Sequence, residues 1–177
     1  MSETSKHREH VLPYLRGNGV DVGCGNDPVK PDCVAIDIPE ASYECYNGKG
    51  ESKANFRAFA EDLPFKDHTL DWLYSSHLLE DFPLVEWPSL LREWTRVLKP
   101  GGMLVILVPE ATLWAKAVAA GQPPNDAHQH EPELGELLAM APKVGLLPVR
   151  EEIIGDFSFL MVRRPPRSTL HTHESPC

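Results

Sequence analysis

The chain predicts an α/β fold built on a parallel sheet. Two short apolar runs of strand length carry that prediction: Val20-Asp21-Val22 leads into Gly23-Cys24-Gly25-Asn26-Asp27-Pro28, and Val34-Ala35-Ile36 ends in Asp37 and Ile38. A third observation is Met103 to Val108, an unbroken apolar run of the kind seen in a central strand buried on both faces. A Gly-x-Gly turn after one strand and a carboxylate closing the next is how parallel α/β sheets hold an adenosine-containing ligand.

Each element follows from local signals. His7 to Arg16 reads as a first helix carrying Val11, Leu12 and Leu15, stopped by Gly17 and Gly19. After the two strands, Pro39 to Lys53 is polar, and Asn47-Gly48-Lys49-Gly50 marks a loop. Asn55 to Ala60 is a weak third strand and Leu70 to Ser75 a fourth. Glu86 to Leu98 is an amphipathic helix with Leu90, Leu91, Trp94, Val97 and Leu98 at helical spacing, and Lys99-Pro100-Gly101-Gly102 stops it with a tight turn. Glu110 to Ala120 and Glu133 to Lys143 read as helices flanking a Pro- and His-rich segment, Gly121 to Pro132. Val149 to Ile154 and Phe157 to Val162, joined by Gly155-Asp156, form a terminal antiparallel hairpin.

With 177 residues, 42% of them hydrophobic, the chain suits one domain with a real core, taken as 1–163. Residues 164–177, beside the basic run at Arg163, are read as a disordered or non-native tail, too poor in apolar residues to order themselves. A formal charge of −9 disfavours a nucleic-acid partner, because non-specific affinity for phosphates comes from Lys and Arg. Cys24, Cys33, Cys45 and Cys177 form no Cys-x-x-Cys pair, so neither a zinc site nor a redox dithiol is indicated. No apolar run reaches membrane-span length and Met1 to Glu9 is polar, so a cytoplasmic location is expected.

The glycines let the backbone approach a ligand closely, and Asp37 is placed to accept hydrogen bonds from two ribose hydroxyls. NAD and S-adenosylmethionine both satisfy that much. The dinucleotide fingerprint adds a third glycine and a helix N-terminus aimed at a pyrophosphate. Here Asp27 and Pro28 follow the second glycine and Asp21 precedes the first. Carboxylates around the turn repel a diphosphate and suit a ligand bearing an ammonium and a sulfonium. Only residues 26–32 separate the turn from the next strand, fewer than the roughly ten or more that a parallel crossover with its helix needs, so that helix is expected to be missing or reduced to one turn.

Four segments then succeed one another: the Asp21-Val22-Gly23-Cys24-Gly25 turn; the strand ending at Asp37; Ala60-Glu61-Asp62-Leu63-Pro64-Phe65; and Asp71-Trp72-Leu73-Tyr74-Ser75-Ser76-His77-Leu78-Leu79-Glu80 leading to Arg96-Val97-Leu98-Lys99-Pro100-Gly101-Gly102. In that order they resemble a class I S-adenosylmethionine-dependent methyltransferase of the small-molecule, methyltransferase-11 type. The resemblance implies a Rossmann-like seven-stranded sheet of order 3-2-1-4-5-7-6 with its last strand antiparallel, and S-adenosylmethionine as the cofactor over the carboxyl ends of strands one to four. Carried over by position, Gly23, Cys24 and Gly25 pass under the methionine moiety, Asp37 holds the ribose and Ile38 packs on the adenine. Ala60 and Glu61 edge the adenine ring, and Ser76 and His77 face the transferred methyl. Relatives commonly place an acid just before the alanine to bind the adenine amino group. Phe59 stands there in this chain, so Glu61 or Asp62 substitutes for that acid or adenine recognition is looser.

Several residues are open to two readings. Asp21 either binds the cofactor ammonium through water or holds the glycine loop by hydrogen bonds. Glu61 and Asp62 are adenine contacts or solvated loop acids. His77 and His130 are the candidate catalytic groups. His77 either serves the acceptor, as a base or by orienting it, or caps the next helix. His128 and His130 form a His-x-His pair with no third ligand spaced to match, so no metal is expected, and their segment reads as a surface loop or substrate lid.

The implied reaction is transfer of a methyl group by in-line displacement to a small-molecule, carrier-bound or glycan-bound acceptor. With some nineteen residues before the glycine turn there is little material for a lid. The acceptor site is therefore expected to be open, to be completed by a partner subunit in a homodimer, or to suit the end of a larger molecule. A non-catalytic methyltransferase-like interaction module and an NAD-dependent oxidoreductase are the competing readings.

Overall fold

The computed structural model describes residues 2–39 and 52–166. The expected loop through Asn47-Gly48-Lys49-Gly50 and the chain beyond residue 166 lie outside the described residues. The strands are β1 Gly19–Val22, β2 Val34–Asp37, β3 Phe56–Arg57, β4 Leu70–Ser76, β5 Leu98–Pro109, β6 Leu147–Ile154 and β7 Ser158–Arg164. They form one sheet of order β3-β2-β1-β4-β5-β7-β6. β1 lies between β2 and β4, and the β3-β2-β1-β4-β5 pairs are all parallel, while β7 runs antiparallel between β5 and β6. Order and orientation match what the resemblance implied. Between β1 and β2 the chain makes turns and no helix, so the first crossover is as short as its residue count predicted.

Side-chain alternation assigns each strand residue to one of two cores. Leu73, Leu104, Ile106, Val108, Phe159 and Met161 face one side, packed with Trp87, Leu90, Leu91, Trp94 and Val97 of α2 (Trp87–Val97). Trp72, Tyr74, Val105, Leu107, Leu160 and Val162 face the other, with Val11 and Leu15 at the end of α1 (Glu3–Val11) and beyond it. Buried indoles need partners for their N–H groups, and three find backbone carbonyls: Trp72 on Gly17 (3.1 Å), Trp87 on Phe82 (2.9 Å) and Trp94 on Ala60 (3.0 Å).

Element ends depart from expectation where prolines and side-chain caps intervene. The first helix begins earlier than His7, capped by Ser2, whose hydroxyl accepts the Ser5 N–H at 3.0 Å. It gives way at Leu12–Tyr14 to a 3-10 turn because Pro13 has no N–H to continue the α ladder. Glu110 caps α3 (Ala111–Ala119), and Glu133 with Glu136 forms a capping box on α4 (Leu134–Met140), which Pro142 converts to a 3-10 turn over Ala141–Val144. The third strand shrinks to Phe56–Arg57, and beside it the Asn55 side chain bridges the Ala35 N–H (2.8 Å) and the Cys33 carbonyl (3.1 Å).

Two further boundaries are corrected. Lys99-Pro100-Gly101-Gly102 does end α2, but it lies inside β5: Leu98 pairs with Leu70 and Met103 with Trp72, so the four residues form a bulge. A Cβ on Gly102 would stand 3.0 Å from the Lys99 carbonyl oxygen and 3.1 Å from that of Asp71, so the bulge needs glycine there. At the other end, residue 164, the first assigned to the tail, is still in the sheet. Arg164 pairs with Leu147 in the sheet, Arg163 is buried in an ion pair with Glu151, and the Pro165 carbonyl accepts the Gly101 N–H at 3.1 Å.

The tightest approach in the sheet is at Gly19, where a Cβ would lie 2.1 Å from Trp72 Cδ2 and 2.4 Å from the Trp72 carbonyl oxygen. Gly19→Ala therefore forces β1 and β4 apart. It is expected to cost about 2–3 kcal/mol, read as a lower urea midpoint at an unchanged slope.

Candidate active site

The strand order reverses between β1 and β4, the place where an open parallel sheet leaves a crevice at its carboxyl ends. The glycine turn stands at the mouth of that crevice, tied to the end of β2. The N–H groups of Gly23 and Cys24 both donate to the Ile36 carbonyl, at 2.9 and 3.1 Å, and the Gly25 N–H donates to Asp37 Oδ2 at 3.1 Å. Gly23 and Gly25 have φ of +75° and +53°, in the left-handed region. Their surroundings differ. A Cβ on Gly23 would meet Leu78 Cδ2 at 2.8 Å, whereas one on Gly25 would meet none of the described residues within 4 Å. The backbone at Gly25 thus faces open space, with a carboxylate fixed beside it.

Asp37 is held by three donors: Gly25 N–H, the Ser52 hydroxyl (2.7 Å) and Ile38 N–H (3.0 Å). Oδ2 accepts two of these bonds and Oδ1 one, so an acceptor direction remains on Oδ1 for a ligand hydroxyl. Ile38 is half-buried, and Ala60 is buried with its carbonyl taken by Trp94. Glu61 and Asp62 are exposed, in the geometry of solvated loop acids, and Phe59 is exposed beside them. Cys24 is buried, and burial pushes its thiol up to about 12, which leaves it a packing residue.

The other two acids of the turn are occupied within the protein. Against the burial that raises it, Asp27 is drawn down to about 2 by the hydroxyls of Ser2 and Ser5 and the Arg8 guanidinium, whose Nη2 lies 2.6 Å from Oδ1. Asp21 is buried and accepts the Val29 N–H at 2.7 Å, the loop-holding geometry of its two readings. Burial, more than the nearby Asp27 and Asp37, pushes it up to about 7. The expected fringe of carboxylates around the turn is therefore corrected: Asp21 and Asp27 are used within the protein, which leaves Asp37, itself held by three donors, as the acid beside the open backbone. What disfavours a diphosphate is instead the absence, among the described residues, of a helix N-terminus after the turn.

On the far side of the crevice, β4 ends at Ser76, half-buried, and His77 follows at φ +51°, a strained conformation for a non-glycine residue, its N–H donating to the Leu107 carbonyl at 2.9 Å. His77 Nδ1 lies 3.1 Å from Oε1 of Glu80, which is fully buried, and Nε2 lies 3.4 Å from the Ser158 hydroxyl. Burial lowers the His77 pKa and Glu80 raises it; the balance is upward. Around this pair stand Phe157, edge-on to His77 at 6.2 Å, Trp114 at 5.0 Å from Phe157, and His128, whose Nε2 is 3.8 Å from Glu80 Oε1.

The structure thus gathers Gly23, Cys24, Gly25, Asp37, Ile38, Ala60, Ser76 and His77 along one carboxyl edge. It turns Asp21 inward and leaves Glu61 and Asp62 in solvent. His130 goes elsewhere, to Glu136 (2.7 Å) and the edge of Trp87 (ring centroids 5.2 Å apart). Of the histidine pair it is His128 that turns to Glu80. Glu80 itself was legible as the residue three after His77, a spacing that closes on one turn. The approach of His128 has no local signal.

The family model described as a methyltransferase domain matches residues 20–106. A demethylmenaquinone methyltransferase of Staphylococcus epidermidis is 31% identical over 117 residues, 56% of this chain and 48% of that protein. Its Bacillus pumilus namesake is 44% identical over 48 residues, 27% of this chain and 20% of that protein. The matched region spans less than half the length of these curated relatives. Among solved structures, a Pyrococcus horikoshii protein superposes with TM-score 0.70 at 20% identity, covering 93% of this chain and 92% of that one. An S-adenosylmethionine-dependent methyltransferase of Methanosarcina mazei gives 0.67 at 18% identity, covering 89% and 97%. At those identities the structures establish the fold alone. The family match falls on the segments that carry the ordered motifs, and with the fold of the structural neighbours it supports a class I S-adenosylmethionine-dependent methyltransferase, with S-adenosylmethionine as the cofactor.

Asp21 supplies a test by pH. Its folded pKa near 7 lies above the ordinary carboxylate value of 3.8, so the folded chain keeps a proton that the unfolded chain has lost, and stability falls as pH rises from about 4 to 7. Asp21→Asn keeps an acceptor for Val29 and removes that decline. Its advantage over wild type is expected to grow across the window to on the order of 4 kcal/mol at pH 7, measured by urea unfolding at successive pH values.

Proposed function

We propose that this chain transfers a methyl group from S-adenosylmethionine to a small-molecule, carrier-bound or glycan-bound acceptor. The observation that carries the reading is the pairing of the open backbone at Gly25 with Asp37, locked to it by the Gly25 N–H at the point where strand order reverses. A cradle that a Cβ would fill, beside a preorganised carboxylate, fits a nucleoside ribose with a slender chain attached. In this reading Gly23, Cys24 and Gly25 underlie the methionine part, Asp37 takes the ribose hydroxyls, and Ile38 and Ala60 border the adenine. Ser76 and His77 meet the acceptor.

When bound, S-adenosylmethionine supplies a sulfonium-activated methyl and a neutral thioether leaving group. The chain then has to hold the acceptor's nucleophile in line at attack distance, an effect worth roughly 7–11 kcal/mol when geometry is met. The aromatic and imidazole surfaces of Trp114, Phe157 and His77 provide that acceptor wall. The named relatives act on demethylmenaquinone, which supports a small-molecule acceptor. A homodimer belongs to the same proposal: the edge strand β6 turns Leu147, Val149 and Ile153 to solvent at 41–45% exposure. A cytoplasmic site of action is proposed as well; among the described residues no helix is long and apolar enough to cross a membrane.

Thermal unfolding with added ligand tests the cofactor assignment. S-adenosylhomocysteine at a hundred times its Kd is expected to stabilise the chain by about 2.7 kcal/mol, NAD is expected to do nothing, and Asp37→Ala is expected to abolish the shift. Equal melting with and without S-adenosylhomocysteine would remove the proposal.

A further inference from the structure

Glu80 is, like Asp21, a fully buried carboxylate, and the use of Asp37, Asp21 and Asp27 leaves it unexplained. It sits on the 3-10 turn Leu79–Asp81 directly after β4. Oε1 lies within ion-pair distance of His77 Nδ1 (3.1 Å) and His128 Nε2 (3.8 Å), and neither buried carboxylate oxygen has a partner in aligned hydrogen-bond geometry. Its backbone carbonyl accepts the N–H groups of Gln129 (2.8 Å) and His130 (3.1 Å), which anchors the 125–132 segment over the site. An apolar residue would fill the same turn without the several kcal/mol that an unpaired buried carboxylate costs. A carboxylate there makes sense when the imidazole beside it has to carry charge.

We propose that Glu80 is a positioning residue that makes His77 the proton acceptor of the reaction, and that the acceptor molecule belongs to the class that must lose a proton on methylation. Such a molecule has a hydroxyl or N–H nucleophile, or a carbon activated by an adjacent hydroxyl. The proposal rests on the methyl-transfer reading above. With Oε1 3.1 Å from Nδ1, the Glu80 charge favours a proton on Nδ1 and so the tautomer whose lone pair is on Nε2, the nitrogen left with only the long contact to Ser158. As the bond from the acceptor to the methyl carbon forms and the methyl–sulfur bond breaks, the acceptor's proton passes to Nε2. The positive charge lost at sulfur thereby appears on the imidazole, facing Glu80, and the proton is later released to water. The aromatic faces of Phe157 and Trp114 beside His77 suit a flat acceptor. The titratable and charged groups around the pair are His128 from the 125–132 segment, Asp81 from the same turn, and Glu3 and His7 from α1. Glu3 and Asp81 act in the same direction as Glu80, and His7 and His77 oppose each other's charging.

The test is nitrogen-15 NMR of histidine-labelled full-length chain, with His77→Gln identifying the signal, joined to a pH–rate profile. The profile follows transfer from methyl-tritiated S-adenosylmethionine into a fixed fraction of cell extract. In wild type, neutral His77 is expected as the Nδ1–H tautomer, and the acid limb of the rate is expected at the His77 titration midpoint. Glu80→Gln is expected to lower that midpoint by about one pH unit, a tenfold weaker hold on the proton, to carry the acid limb down with it and to cut kcat about tenfold or more, leaving the KM for S-adenosylmethionine in place. An Nε2–H tautomer in wild type overturns the proposal without any variant, so a Glu80→Gln chain that failed to fold would not protect it. A pH-independent rate, or a folded Glu80→Gln chain with an unmoved midpoint, overturns it too. The wrong tautomer beside a normal S-adenosylhomocysteine shift sinks the base role alone, whereas no such shift sinks the methyl-transfer reading and the base role with it.

Discussion

Three backbone N–H groups, those of Gly23, Cys24 and Gly25, point from the end of β1 to the end of β2, two to the Ile36 carbonyl and one to the Asp37 carboxylate. This tie substitutes for the helix that the first crossover lacks. A turn of this length would otherwise be held only by its two strands, and its left-handed glycines would be free to explore other conformations. With the tie made, the strand end, the open backbone at Gly25 and Asp37 move as one body, and the ligand-facing groups are fixed before any ligand arrives.

The acidic character of the turn has a different purpose from the one its composition suggests. Asp27 fastens α1 to the turn through Ser2, Ser5 and Arg8, and Asp21 fastens the turn from below through Val29. Both are structural uses of charge, one exposed enough to hold an ion pair and one so buried that its carboxyl resists ionisation. By drawing α1 down on the sheet, the first of them also places Glu3 and His7 near the acceptor side. The glycine turn and the His77–Glu80 pair are thus linked through one short helix.

The two halves of the site are built on opposite principles. The cofactor side relies on backbone and a single carboxylate, groups that need no reorganisation and that a short sequence pattern can encode. Its acceptor side relies on side chains from β4, the turn after it, the 125–132 segment and the start of β7, which meet only when the sheet has closed. That division explains why the first half carries a recognisable family pattern and the second does not.

The same division sets what could be read from the residues. Strand identities, the short crossover, the glycine turn with Asp37 and the amphipathic α2 were legible, because each depends on neighbours within a few positions: period-two and period-3.6 patterns, glycine punctuation, a carboxylate at a strand end. Boundaries slipped where Pro13, Pro142, the Asn55 side chain and the Lys99–Gly102 bulge redirected hydrogen bonds, effects that the apolar pattern does not register. The sequence by itself determined the fold class and the place of the glycine turn beside Asp37. Only the tertiary structure decided which acids are used within the protein, that the imidazole of His128 and not that of His130 faces the Glu80 carboxylate, and that Arg164 pairs in the sheet, because burial and pairing between residues dozens of positions apart are properties of the closed sheet.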